Sequence, residues 1–321
     1  MRTVSVKTPP LYRGLTNKPA FGVVSRIHAA PACVYLGAMS TPAIETSGLS
    51  RSFQGFQAVD RLDLTVAAGQ FFGFLGPNGA GKSTTIKMLT GLLSPSAGSI
   101  RIFGEDLLAN AVEVKRHIGV VPEGMALFGR LTAPEYLQFV GRMYGLDKTT
   151  AAQRSAELLD FMGLANERKK LIADFSHGMG KKLALAAAVI HGPRLLFLDE
   201  PFEGVDAIAA GLLKSMLQGM ITRGATVFLT SHVLEIVERL CTHVAIINKG
   251  HLVAQGSLEE LRAGVQARLA HADPNAPGAD PNQTETQGKN NSRLTLEEIF
   301  LAVVGEDSPS QPSETELPWL S

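Results

Sequence analysis

Cysteine is scarce in this sequence of 321 residues, neither sign of charge is in excess, and no long apolar run occurs. Its two cysteines, Cys33 and Cys241, stand far apart and form no metal-binding pattern, which favours a reducing compartment without a disulfide framework. Lys and Arg number 30, as do Asp and Glu, so no electrostatic case for a nucleic-acid partner arises. No segment approaches the roughly 18 consecutive apolar residues that a membrane helix needs. Any action at a membrane therefore requires a partner chain.

Short apolar runs bounded by turn residues alternate with longer helix-patterned segments from Ile44 onwards. These runs are FGFL, LLFL at 195–198, VFLT at 227–230 and VAII at 244–247. The alternation is typical of parallel strands that are buried on both faces and joined by crossover helices. The sequence therefore predicts an α/β fold, with a helical insertion at about 124–185, where strand signals are few.

Polar and proline-containing segments flank this core. Residues 1–44 carry basic side chains but no acidic one, and they are predicted to be a disordered N-terminal extension. A targeting peptide is an alternative for this segment, and Met39 offers a second start that would place residues 1–38 upstream of the protein. The remaining boundaries predict one folded domain at 45–266, a flexible linker at 267–292, an amphipathic helix at 293–305 and a disordered tail at 306–321.

A glycine-rich segment, GPNGAGKST, follows the apolar FFGFL and precedes a helix-patterned run. Glycines let the backbone N–H groups wrap a phosphate at the start of a helix, whose dipole favours anions. Lys82 is predicted to reach the β- and γ-phosphates of ATP, and the Ser83 hydroxyl to ligate Mg²⁺. The predicted phosphate-binding residues are Gly76, Pro77, Asn78, Gly79, Ala80, Gly81, Lys82, Ser83 and Thr84.

The segment LLFLDEP predicts a strand that ends in two carboxylates, Asp199 and Glu200. In a parallel sheet, ligands bind at the edge formed by the carboxyl ends of the strands. Asp199 is predicted to hold Mg²⁺ through water, and Glu200 to orient or deprotonate the attacking water. A carboxylate pair at a strand end is weak by itself, because helix N-caps use the same residues. The glycine-rich segment in the same chain makes the prediction specific.

With FSHGM (175–179) between them, these two segments resemble the ATP-binding cassette (ABC) ATPases over about 45–262. The resemblance implies a P-loop NTPase fold with an antiparallel β subdomain and an α-helical subdomain. It also implies that Phe53 stacks on adenine and that His232, in VFLTSHV, contacts the γ-phosphate. Glu123 stands where the family usually has glutamine, in the loop that touches Mg²⁺ and the permease.

FSHGM stands where this family has LSGGQ, and the resemblance implies that it acts in a homodimer. Two copies would pair head to tail, so that Ser176 and Gly178 of one copy complete the phosphate site of the other. The helix predicted from Lys181 to Ile190 would aim its positive end at the γ-phosphate. His177 and Met179 depart from the family pattern, whereas the serine and glycine that face the phosphate remain.

The resemblance therefore implies the ATP-hydrolysing subunit of an exporter, held at the cytoplasmic face of the membrane by a separate integral permease. EGVD, at 203–206, matches the loop that crosses the dimer interface, and LEEIFL near the end is similar to segments of that exporter group. Two alternatives stay open: a soluble ATPase of this family acting on ribosomes or DNA, and an importer subunit. The sequence does not name the cargo.

Overall fold

The computed structural model describes residues 41–124, 126–272 and 294–305. Most of the predicted extension, linker and tail therefore lies outside the described residues. The strands are β1 Ile44–Phe53, β2 Phe56–Val66, β3 Phe71–Leu75, β4 Ala97–Ile102, β5 Glu105–Asp106, β6 Ile118–Val121, β7 Leu195–Asp199, β8 Thr226–Thr230, β9 His243–Asn248 and β10 His251–Ser257. The helices are α1 Lys82–Leu89, α2 Ala111–Arg116, α3 Ala133–Met143, α4 Lys148–Phe161, α5 His177–Val189, α6 Ala207–Thr222, α7 Leu234–Leu240, α8 Leu258–Ala272 and α9 Leu296–Val304.

A six-stranded sheet in the order β10-β9-β3-β8-β7-β6 forms the centre of the fold. Its strands run parallel from β9 to β6, and only β10 is antiparallel to its neighbour. Every residue of β3, β7 and β8 is buried, because helices cover both faces of the sheet. The carboxyl ends of β3, β7 and β8 therefore meet at one edge, where the predicted site residues follow the strands.

A second, antiparallel sheet has the order β2-β1-β4-β5. Along β2 the buried residues Leu62, Leu64 and Val66 alternate with outward-facing polar residues, as expected for a strand with one solvated face. This sheet is the antiparallel subdomain of the predicted fold class, and its presence beside the parallel sheet confirms that class.

The helical segment predicted at about 124–185 contains α3, α4 and the first part of α5. The helix expected from Lys181 begins earlier, at His177, because the Ser176 hydroxyl accepts a hydrogen bond from the Met179 N–H at 3.3 Å and caps it. A correction also applies to the start of the linker, because α8 continues to Ala272 and so includes residues 267–272. Among the described residues, no helix is long and apolar enough to cross a membrane.

Candidate nucleotide-binding site

The glycine-rich segment forms a tight turn between β3 and α1. Gly79 and Gly81 have φ angles of 78° and 108°, which side chains of L-residues rarely adopt. A Cβ added at Gly76 would lie 2.3 Å from the Ile247 carbonyl oxygen, so only glycine fits there. Ala80 closes the turn, since its N–H donates to the Pro77 carbonyl at 3.1 Å. The turn thus presents backbone N–H groups at a helix N-terminus, as an anion site requires.

The remaining members of the segment lie around this turn. Asn78 is exposed at its tip, and Ser83 and Thr84 are half-buried in the first turn of α1. The structure therefore places all nine predicted phosphate-binding residues on one turn and the helix start that follows it.

Lys82 is the cation of the turn, and it is almost fully buried. Its ammonium donates to the carbonyl oxygens of Gly76 at 2.7 Å and of Pro77 at 3.2 Å. Burial, the largest effect, lowers the pKa of Lys82, and the negative charges of Glu200, Asp199 and Glu123 offset only part of that shift. The three carboxylates therefore favour the charged form, which is the form that binds phosphate oxygens.

Asp199, at the end of β7, and the backbone of the next residue, Glu200, are joined to the neighbouring strand β8 through Thr230. The buried Thr230 hydroxyl donates to Asp199 Oδ1 at 2.6 Å, and the Thr230 hydroxyl oxygen accepts from the Glu200 N–H at 3.2 Å. Glu200 has a φ of 50°, a left-handed conformation that turns its side chain out of the strand direction. The Asp199 carboxylate is thus held in place at the edge of the sheet, and the Glu200 side chain turns toward the site.

His232 lies directly beside Glu200. Its Nδ1 is 3.0 Å from Glu200 Oε2, and its backbone N–H donates to the same oxygen at 3.2 Å. The histidine side chain is 53% exposed, whereas that of Glu200 is only 11% exposed. Because an ionised carboxylate is only an acceptor, Nδ1 carries the proton in this contact. The sequence assigned His232 to the γ-phosphate, and the structure adds this hydrogen-bonded partner.

The donor atoms near Lys82 suit a hard cation. Ser83 offers a hydroxyl and Asp199 a carboxylate, and oxygen ligands are those that Mg²⁺ prefers. Within residues 41–124, 126–272 and 294–305, no three His, Cys, Asp or Glu side chains cluster as metal ligands. Mg²⁺ needs no such cage, because one or two carboxylates and the substrate phosphates usually hold it. Glu123 is exposed in the loop after β6, where its charge acts on Lys82.

Three predicted residues contribute surfaces rather than charges. Phe53 ends β1 with 40% of its surface exposed, and the Arg51 guanidinium carbon lies 4.6 Å from its ring centroid. An exposed ring at this position can stack on a base. Ser176 lies at the N-terminus of α5, and a Cβ added at Gly178 would meet no atom within 4 Å. The face of this helix start is therefore open to a ligand in the described chain.

Two residues with direct contacts to the site escaped the sequence analysis. Thr230 joins Asp199 and Glu200, and Lys181 donates hydrogen bonds to the carbonyls of Glu200 and Glu203. A polar residue at the end of the apolar run VFLT, two positions before His232, was an available signal for Thr230. Nothing in the sequence distinguishes Lys181 from the adjacent Lys182.

Comparisons with known proteins agree with this geometry. A family model described as ABC transporter matches residues 59–203. The daunorubicin/doxorubicin resistance ATP-binding protein DrrA of Streptomyces peucetius is 40% identical over 229 residues, which cover 71% of this chain and 69% of the relative. The bacitracin transport ATP-binding protein BcrA of Bacillus licheniformis is 40% identical over 225 residues, covering 70% and 72% of the two chains.

A solved structure of the ATP-binding subunit of an ABC transporter is also similar. It is 31% identical, it superimposes with a TM-score of 0.67, and the match covers 70% of this chain and 94% of the solved one. The phosphate-binding turn, the carboxylates of β7 and the relatives together lead to one assignment. The chain belongs to the ABC transporter family, among its ATP-binding subunits.

Proposed function

We propose that this chain binds Mg-ATP, hydrolyses it as a homodimer, and thereby drives a separate membrane permease that exports its cargo. One observation carries the proposal: four polar side chains meet at one edge of the sheet, namely Lys82, Asp199, Glu200 and His232. The negative charges of Asp199 and Glu200 act on the Lys82 ammonium. The relatives are named for resistance and transport, which supports export as the direction. The nucleotide-binding domain, predicted at 45–266, extends from residue 45 to Ala272, where α8 ends.

Within one copy, each residue has a distinct role. The N–H groups of the glycine-rich turn and the Lys82 ammonium hold the phosphates, and Phe53 stacks on the adenine. Ser83 and Asp199 hold Mg²⁺, with Glu123 close to them. When bound, Mg²⁺ neutralises charge on the β- and γ-phosphates. Glu200 accepts the proton of the attacking water, and His232 orients that carboxylate through the 3.0 Å contact between Nδ1 and Oε2.

The second copy completes the site. Ser176 and Gly178 of one copy face the γ-phosphate bound by the other, and the N-terminus of α5 adds the positive end of its dipole. The open face of Gly178 supports this role, because a phosphate can approach its N–H without a side chain in the way. Binding of ATP then closes the dimer, and hydrolysis releases it.

An exposed aromatic cluster on the helical subdomain is the proposed permease-docking surface. Phe128 lies 5.8 Å from Tyr136 and 5.7 Å from Phe139 between ring centroids, and Phe128 and Phe139 are 52% and 45% exposed. Neighbouring exposed aromatic rings are typical of protein interfaces. The cluster comes directly after the Glu123 loop in the chain. That loop therefore connects the docked permease with the nucleotide site. Docking there holds the chain at the cytoplasmic face of the membrane, and the permease determines the cargo.

Glu200→Gln tests the proposed function. The amide keeps the size of the side chain but removes the proton acceptor, so turnover should fall by about 10²-fold or more while ATP still binds. ATP-dependent dimers should then accumulate on a sizing column. Adding Lys82→Ala to this variant should remove the dimers, because the phosphates lose their cation. Unchanged turnover in Glu200→Gln would overturn the role of Glu200, and retained ATP affinity in Lys82→Ala would overturn that of Lys82.

A further inference from the structure

The first turns of α5 are fastened to the loop that follows β7. Lys181 lies on α5, and its ammonium donates a hydrogen bond to the Glu200 carbonyl at 3.3 Å and another to the Glu203 carbonyl. These carbonyls belong to the segment that begins with the proposed proton acceptor and continues as EGVD. One side chain of the helix thus holds this catalytic loop, residues 200–204, at two points.

His177 provides a second contact between the same two elements. Gly204 has a φ of 64°, and a Cβ added there would lie 3.3 Å from Cδ2 and 3.5 Å from Nε2 of His177. The imidazole therefore packs against the backbone at the far end of the catalytic loop. Because both contacts originate in the first turns of α5, a shift of that helix start must move the loop as well.

The charge of Lys181 strengthens its attachment to the loop. Burial, the largest effect, lowers the pKa of Lys181, and the negative charges of Glu203, Glu200 and Glu123 offset part of that shift. These carboxylates favour the ammonium form, and hydrogen bonds from a charged donor are about twice as strong as neutral ones. The loop is therefore held by a cationic donor that lies among carboxylates of opposite charge.

The two attached elements serve different nucleotides if the proposed head-to-tail dimer is right, and the inference rests on that proposal. Glu200 acts on the ATP bound by its own copy, whereas Ser176 at the start of α5 acts on the ATP of the partner. We propose that Lys181 is a positioning residue that couples the two sites. It makes the start of α5, which contacts the partner's ATP, and the catalytic loop, which acts on the ATP of its own copy, move as one body.

Steady-state hydrolysis gives the first test, with Lys182→Met as the matched control. Lys182 is the next residue of α5, and its charge acts on Asp206, whose pKa is lowered chiefly by the Ala209 N–H and to a lesser degree by Lys182. Lys181→Met should lower kcat about tenfold or more, because two hydrogen bonds from a charged donor are lost, with KM for ATP changing less than about threefold.

The conservative variant Lys181→Arg should restore most of kcat, since guanidinium donors can reach the same carbonyls. Lys182→Met should retain nearly the full rate. Equal rates for Lys181→Met and Lys182→Met would overturn a positioning role. Should Lys181→Met fold poorly, as judged by circular dichroism and urea unfolding, Lys181→Gln takes its place in this and the following experiment.

A mixed dimer tests the coupling itself. Mixing Ser176→Arg protein with Lys82→Ala protein leaves one intact site in each heterodimer, built from Lys82 and Glu200 of the first copy and Ser176 of the second. Lys181→Met is then placed on either copy in turn. On the first copy it loosens the Glu200 of the working site, and on the second copy it loosens the α5 that supplies Ser176.

Coupling predicts that both placements lower the restored rate, each by about tenfold. A loss from the first placement alone would show that Lys181 serves only its own site, and a loss from the second alone that it only supports the helix. Either result overturns the coupling. If the unmodified pair restores no activity although heterodimers form, the head-to-tail dimer itself is wrong and the coupling falls with it.

Discussion

Thr230 is the side chain that contacts both Asp199 and the backbone of Glu200. Its hydroxyl donates to Asp199 Oδ1 at 2.6 Å and accepts from the Glu200 N–H at 3.2 Å. Thr230→Val keeps the shape but leaves a buried acceptor and a backbone donor unpaired, which costs about 1–3 kcal/mol of unfolding free energy. We expect turnover to fall as well, by about tenfold, because the Asp199 carboxylate loses a donor and the Glu200 backbone N–H loses its acceptor. Urea unfolding and steady-state hydrolysis measure the two effects.

Thr226→Val is the matched control for this prediction. Thr226 is equally buried, at the opposite end of β8, and its hydroxyl accepts from the Gly69 N–H at 2.9 Å, away from the carboxylates. Its loss should reduce the unfolding free energy by a similar amount and leave turnover within about twofold. A parallel loss of turnover in both variants would mean that Thr230 acts through stability alone.

The sequence predicted the site residues that belong to continuous motifs. Lys82, Asp199 and Glu200 follow directly from local patterns, because a strand end and a glycine turn fix their positions along the chain. The role of Thr230 depends instead on its pairing with Asp199 across β8 and β7, and strand register between distant segments is not written in either segment. The contact between His232 and Glu200 likewise depends on the pairing of β8 with β7, because each residue follows one of these strands.

Secondary-structure elements show a similar division. The apolar runs predicted as strands are β3, β7, β8 and β9, and the structure confirms them, since their burial on both faces requires continuous apolar sequence. The antiparallel sheet was expected only from the family resemblance. The start of α5 was placed four residues too late, because a serine can be a turn residue or a helix cap, and only its hydrogen bond to Met179 N–H distinguishes the two.

The C-terminal helix α9 packs on the core through Leu296 and Ile299, and one arginine of α8 adds polar contacts at its start. Arg262 donates through Nε to the Leu294 carbonyl at 2.8 Å, and it pairs with Glu238 of α7, with only 9% of its side chain exposed. Arg262→Met should lower the unfolding free energy by about 2–3 kcal/mol, because the Leu294 carbonyl loses its donor and the Glu238 carboxylate keeps only the Leu296 N–H. Arg239→Met, in an exposed pair with Glu235, should cost less than about 0.5 kcal/mol in the same urea titration. Equal costs would contradict the attachment.

The turn between α5 and β7 carries a histidine that should make stability depend on pH. His191 stacks on Tyr144 with a centroid distance of 3.7 Å, and burial, the largest cause, lowers its pKa from 6.5 to about 4. The unfolded chain therefore takes up a proton before the folded one as the pH falls. This contribution to stability is complete above pH 6.5 and is lost progressively down to about pH 4, at up to about 1.4 kcal/mol per pH unit.

His191→Gln should flatten that pH dependence. Unfolding free energies of both proteins at pH 7, 6, 5 and 4 isolate the histidine, because the carboxylates titrate in both alike. A wild-type curve parallel to that of the variant would mean that His191 titrates in the folded protein as it does in the unfolded chain.

The assembled protein is proposed to be a dimer with two composite sites. Under the same proposal, the exposed rings of Phe128 and Phe139 bind the separate permease. Removing the aromatic rings by Phe128→Ser and Phe139→Ser should therefore weaken binding of the proposed permease. The rate of ATP hydrolysis by the isolated chain should stay the same. Co-purification of the permease in detergent measures the effect, and an unchanged yield would place the docking surface elsewhere.

A structure of the Glu200→Gln variant with Mg-ATP tests the shared site itself. We expect every ATP to contact Lys82 of one copy and to lie within hydrogen-bonding distance, about 3.5 Å or less, of Ser176 Oγ from the other. If each ATP is instead bound by one copy alone, with Ser176 of every other copy remote from the phosphates, the head-to-tail dimer is contradicted.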